Sequence, residues 1–163
     1  GHDKVGSDMC KNILTNLKFS NTEIDLISKA VFNHMRCKFF GDDLSNARDK
    51  SIRKLITDLG DDLEFCLDLM DADNKSHKKE SCMNNQITNL KNKIIELKTN
   101  DNVVEYKLPI DGFDVMNLLQ IKGGKMVGEV LEYCRDLYLE DVGLDKSELL
   151  KIVENKFGKN LTL

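Results

Sequence analysis

The chain has 163 residues, a formal net charge of −4, and 32% charged against 40% hydrophobic residues. That is apolar material enough for one domain or two small ones, yet no apolar run approaches the roughly 20 residues that span a bilayer. The acidic balance also weakens any claim to a grip on nucleic acid through bulk charge, so polyanion binding needs local lysine and arginine clusters.

Five cysteines (Cys10, Cys37, Cys66, Cys82 and Cys134) are scattered, odd in number and without a Cys-x-x-Cys pair. This pattern points to buried free thiols in a reducing cytosol rather than to a disulfide framework or a zinc site. No basic, apolar opening reads as a secretion signal, so the expected location is cytoplasmic, with no membrane partner. A single proline predicts long helices with few breaks, because proline removes a backbone donor and clashes inside a helix.

Ile24, Ile27, Ala30 and Val31 form the first helical stripe, opened by a capping box of Ser20 and Glu23. Ile52, Leu55, Ile56 and Leu59 form a second, closed by Gly60 where a left-handed residue is wanted. Leu63, Cys66, Leu67 and Met70 make a third, and Met83, Ile87, Leu90, Ile94 and Leu97 a fourth that ends near Asn100. Thr99 to Asn102 reads as a turn and Val103 to Pro109 as extended chain. The expected organisation is therefore an all-α array of two small subdomains, 1–98 and 110–163, with a connector at 99–109. In the second, Asp111 caps a short helix through Leu119, and a Gly-Gly turn at 123–124 leads into a helix with Val127, Val130, Leu131 and Leu137. Gly143 and Asp145 separate it from a last helix with Leu149, Leu150, Val153 and Phe157.

Three places hold residues that could carry chemistry. Of the three histidines, His2 with Asp3 has the pairing of an HD-type metal ligand set, and His34 is the other metal candidate; hydrogen-bonded helix-end histidines are the plainer reading. The turn Ile121-Lys122-Gly123-Gly124-Lys125-Met126-Val127-Gly128 offers glycines for close backbone approach. It also offers the amide protons and positive dipole end of the following helix, with Lys122 and Lys125 beside them. A plain interhelical turn remains the other reading. Two basic stretches, Arg48-Lys50-Arg53-Lys54 and Lys75-His77-Lys78-Lys79, either track a phosphate backbone, Arg53 and Lys54 above all, or are solvated helix faces. No nucleophile with its base, Walker loop or acidic nucleotidyl-transfer pair is present, so the chain offers no complete active site and needs no cofactor of its own.

Taken in order, these segments resemble one family. Gly1-His2-Asp3-Lys4-Val5-Gly6-Ser7, then Leu17-Lys18-Phe19-Ser20, is similar to a stretch inside the HD domain of bacterial tRNA nucleotidyltransferases and poly(A) polymerase-like enzymes. Asn33-His34-Met35-Arg36 looks like the next histidine of that family. Ser51 to Ile56 with Leu59-Gly60, and Leu69 to Asp73, resemble its following helices. Leu108-Pro109-Ile110-Asp111-Gly112 with Asp114-Val115-Met116, then Ile121 to Gly128, resembles its "Leu-Pro-Ile-x-Gly-x-Asp-Leu-Met…Ile-Lys-Pro-Gly-Pro-x-Ile-Gly-Glu" segment. Where the family has two prolines this chain has Gly123 and Lys125, which loosens the turn and adds a charge.

The resemblance runs from residue 1 to about 157 and implies the end of an HD domain followed by an RNA-binding helical region. It implies tRNA as partner, held by Lys122, Gly123, Gly124, Lys125, Gly128, Arg53 and Lys54. A nucleotidyltransferase head, N-terminal to these segments, would add nucleotides to the tRNA 3′ end with magnesium; this portion alone is expected to be inactive. An HD-superfamily metal-dependent phosphohydrolase and a helical interaction module without an RNA role are the alternatives.

Overall fold

In a computed structural model, residues 1–78 and 82–158 are described, and every regular element among them is helical. The all-α expectation is met. The helices are α1 (His2–Asn16), α2 (Asn21–Asn33), α3 (Asp49–Leu59), α4 (Leu63–Ser76), α5 (Gln86–Asn100), α6 (Gly112–Leu119), α7 (Lys125–Glu140) and α8 (Lys146–Phe157). Contacts divide the chain into Gly1–Leu97 and Lys98–Leu163. No described helix is long and apolar enough to cross a membrane.

In the first unit the helical stripes turn inward. Ile52, Leu55, Ile56 and Leu59 of α3, Leu63, Cys66, Leu67 and Met70 of α4, and Ile87, Leu90, Ile94 and Leu97 of α5 are all buried. The capping box opens α2: Ser20 Oγ accepts from the Glu23 amide at 3.3 Å, and Glu23 Oε2 accepts from the Ser20 amide at 2.9 Å. Gly60 closes α3 at φ +55°, a backbone conformation that glycine adopts without a Cβ penalty. Burial pushes the Cys37 thiol up to about 12, against the lowering charge of Arg36. Cys66 and Cys134 are likewise buried and raised by desolvation.

Two expectations are corrected here. Met83 lies ahead of α5 rather than inside its seam, because the helix starts at Gln86. That start is fixed from outside: Asp42 Oδ1 accepts from the Asn85 and Gln86 amides at 2.9 and 3.1 Å, and Oδ2 accepts from Asn85 Nδ2 at 3.0 Å. A carboxylate 43 residues away in sequence thus satisfies amides that a helix start leaves unpaired. At the other end of α5, Thr99 and Asn100 belong to its last turn. Residues 101–110 follow as turns and irregular chain, with Asn102 at φ +52° and the Tyr106 hydroxyl donating to Asp101 at 2.8 Å.

Behind the Asp42 cap lies a buried polar network. Gln86 is 1% exposed and Asn74 2%. Gln86 Nε2 donates to the carbonyls of Cys37 and Gly41 at 2.9 and 3.0 Å, and its Oε1 accepts from Asn74 Nδ2 at 3.0 Å. Lys38 Nζ donates to Asn74 Oδ1 at 2.9 Å and lies 2.8 Å from Asp73 Oδ2. Gln86, Asn74 and Lys38 are hydrogen-bonded and Asp73 is ion-paired with Lys38, the kind of pairing that lets a buried polar cluster hold a fold together rather than weaken it.

Asp73 links this network to pH. Burial acts to raise its carboxyl, but the hydrogen bond and charge of Lys38, with His34 and His77 nearby, hold it below the ordinary 3.8. A carboxyl depressed in the folded state adds stability that is present above its unfolded value and lost as pH falls through the folded one. Stability should therefore drop below about pH 4 by this route, and Asp73→Asn should flatten that part of an acid-unfolding curve. An unchanged acid slope in the variant would contradict the assignment.

The second unit packs α6, α7 and α8 around Val115, Leu119, Val127, Val130, Leu149 and Val153, all buried. Asp111 and Asp145 each cap the next helix in a full capping box, with Asp114 and Glu148 returning the hydrogen bond. Lys146 Nζ reaches Asp114 at 2.6 Å. That bond, with the Asp111 amide, holds the Asp114 carboxyl low.

Candidate nucleic-acid interface

The turn between α6 and α7 is built differently from what its glycines suggest. The left-handed residue is Gln120, at φ +53° and ψ +39°, and the Ile121 amide closes the end of α6 onto the Met116 carbonyl at 3.2 Å. Gly124, at φ 162°, is extended, a conformation open to any residue, and Gly123 is not among the glycines with positive φ. Their use is room rather than twist. A Cβ added at Gly124 or at Gly128 would meet nothing within 4 Å, and one at Gly123 would touch Met116 Sδ at 3.5 Å.

Gly124 is also the N-cap of α7, and no side chain caps that end or places an acid in its first turn. The neighbouring α6 and α8 satisfy their first amides with aspartates. The first amides of α7 therefore have no side-chain cap and sit at the positive end of the helix dipole, with the Val127 amide donating to the Gly124 carbonyl at 3.1 Å. Lys122 and Lys125 are exposed beside them. Lys125 makes one loose contact with Glu129, 3.5 Å apart with side chains 91% and 60% exposed, the kind of surface pair that contributes little. Backbone donors, open space for a close-lying group and two cations make an arrangement that suits a phosphate.

Arg53 and Lys54 sit half-buried on α3, in the other unit from Lys122, Gly123, Gly124, Lys125 and Gly128. In the second basic stretch, Lys75 pairs with Asp71 at 2.5 Å and His77 Nδ1 lies 2.6 Å from the Asp73 carbonyl; Lys79 lies outside the described residues. Sequence reading missed Asp42, for which no local pattern exists, and the row of apolar residues along α1, which repeats every fourth position.

His2 and His34, far apart in sequence, are brought together. His2 heads α1, and its Nε2 lies 3.2 Å from His34 Nε2. The His34 Nδ1 atom is 2.6 Å from the Val31 carbonyl. With Nδ1–H donating there, His34 Nε2 is left to accept from His2. Zinc sites use three or four protein ligands, and among the described residues no group of three His, Cys, Asp or Glu side chains is placed to hold a metal.

The described residues also line two open depressions. One, of about 520 Å³, lies between the 43–49 loop and α5, where Lys93 bridges Asp49 and Glu96. The other, of about 180 Å³, lies between α1 and α2 beside Lys11, Asp25 and Phe32. Neither pairs a nucleophile with a base. No protein-family profile, curated protein or solved structure matches the chain.

Proposed function

We propose that this chain is the tRNA-binding, C-terminal portion of a tRNA nucleotidyltransferase of the CCA-adding or poly(A) polymerase-like kind, holding tRNA while an N-terminal head extends its 3′ end. The observation that carries this reading is the start of α7, uncapped by any side chain, open at Gly124 and Gly128, and flanked by Lys122 and Lys125. Division of labour makes the reading coherent. Nucleotidyl transfer with magnesium is the head's task, and holding the substrate asks only for shape and phosphate contacts. A-form RNA suits such contacts, because side chains cannot read its deep, narrow major groove.

Binding is expected to be weak and salt-sensitive, since few phosphates are neutralised. Lys125→Ala should weaken it alike for any tRNA sequence and reduce the salt slope by a little under one unit. Gly124→Val should do more harm: the new side chain has room in the free protein but stands where a phosphate would approach. Lys4→Ala, on α1, is the charge control. A fluorescence titration at low salt decides the matter, and equal affinities for Lys125→Ala and Lys4→Ala would remove the turn from the account.

A further inference from the structure

We propose that Phe113 is a stacking platform for an unpaired RNA base, so that the stretch of RNA held at the start of α7 is single-stranded. The proposal rests on the phosphate reading of that turn and adds the base, which lysines and backbone amides leave unread. Phe113 stands in the first turn of α6 and is 72% exposed. Its neighbours place it beside the start of α7. A Cβ added at Gly112 would lie 3.4 Å from Val127 Cγ1, in the first turn of α7, and one added at Gly123 would lie 3.5 Å from Met116 Sδ. Gly112 and Met116 thus mark the strip of α6 that lies against the turn. Phe113, next to Gly112 and one helical turn before Met116, flanks that strip.

The surroundings of the ring favour a base over an apolar protein surface. The other exposed residues on that face of α6 are Asn117 and Gln120, so the ring stands alone among amides and belongs to no continuous apolar patch. A nucleobase suits this mixture, with a flat face for the ring and hydrogen-bonding edges for polar neighbours. The carboxylates beside Phe113 are committed elsewhere. Asp111 Oδ1 accepts from the Phe113 and Asp114 amides at 2.9 and 3.0 Å, and Asp114 pairs with Lys146 at 2.6 Å. Lys122 and Lys125 supply the opposite charge on the turn itself. An aromatic side chain beside a cationic track is how proteins hold single strands without reading their sequence. A duplex does not fit, because its bases are already stacked on one another and offer the ring no free face.

The chain has no tryptophan, so Phe113→Trp installs a single indole at the proposed contact. At low salt an oligoadenylate of about ten nucleotides should quench its fluorescence. An abasic oligoribonucleotide of the same length, with the same phosphates, should not. In anisotropy titrations of the full chain, Phe113→Ala should bind oligoadenylate at least about fivefold more weakly than the parent. Both should bind the abasic strand alike, and Phe113→Tyr should keep the parent's affinity for oligoadenylate. Three results overturn the stacking: an equal loss on both strands, a Phe113→Tyr as weak as Phe113→Ala, or no loss in Phe113→Ala. If Lys125→Ala still weakens binding in those cases, the phosphate reading of the turn survives. A parent protein that binds neither strand nor tRNA removes both.

Discussion

Gln86→Leu is expected to destabilise the first unit by about 1–3 kcal/mol. The amide of Gln86 serves the Cys37 and Gly41 carbonyls and the Asn74 side chain at once. Leucine has nearly the same volume but no polar atom. Asn74 Nδ2 would lose its acceptor, at a cost of roughly 1–3 kcal/mol for a buried group left unsatisfied, while the Cys37 and Gly41 carbonyls would keep the Phe40 and Leu44 amides at 2.9 and 3.4 Å. Against a total stability of about 5–15 kcal/mol, that is a large fraction. A double-mutant cycle separates this cause from packing. Asn74→Leu combined with Gln86→Leu should cost less than the sum of the two, because the pair removes both ends of one hydrogen bond. Strict additivity in urea unfolding, or a loss below about 1 kcal/mol for Gln86→Leu, would contradict the network's role.

Leu149→Ala is expected to cost about 2–5 kcal/mol in the second unit, the range for emptying a well-packed core position. Leu149 is fully buried with Val115, Val130 and Val153, so little around it can relax into the space. Because α6, α7 and α8 share this core, the loss should loosen the helices that present the Gly123–Gly124 turn. Val104→Ala, at a position 84% exposed, should stay within about 0.5 kcal/mol. Comparable losses for the two variants would mean that the second unit's core is placed wrongly.

What could be read without a structure was whatever is local. Ser20 with Glu23, Asp111 before α6 and Asp145 before α8 are short-range capping patterns, and each forms in the fold. The buried stripes of α3, α4 and α5 follow from helical spacing alone. Long-range features had no such signal. Asp42 reaches the start of α5 from another part of the chain, and Gln86 is buried only because Asn74 and two carbonyls enclose it. At the candidate site, glycines suggested a tight turn, yet the left-handed position fell on Gln120, where Met116 closes α6. His2 and His34 meet through the pairing of α1 with α2, which no spacing between them announces. The helix α1 itself went unread although its apolar row, exposed in the fold, repeats every fourth position, a helical spacing legible in the sequence.

The central claim is that RNA phosphates meet the first amides of α7. An amide-resolved NMR titration of the 18.6 kDa chain with tRNA tests it most directly. The account predicts shifts concentrated at Gly123, Gly124, Lys125 and Met126, fading as salt is raised. Binding that leaves those amides unmoved while shifting others, or no binding at low salt, would contradict it.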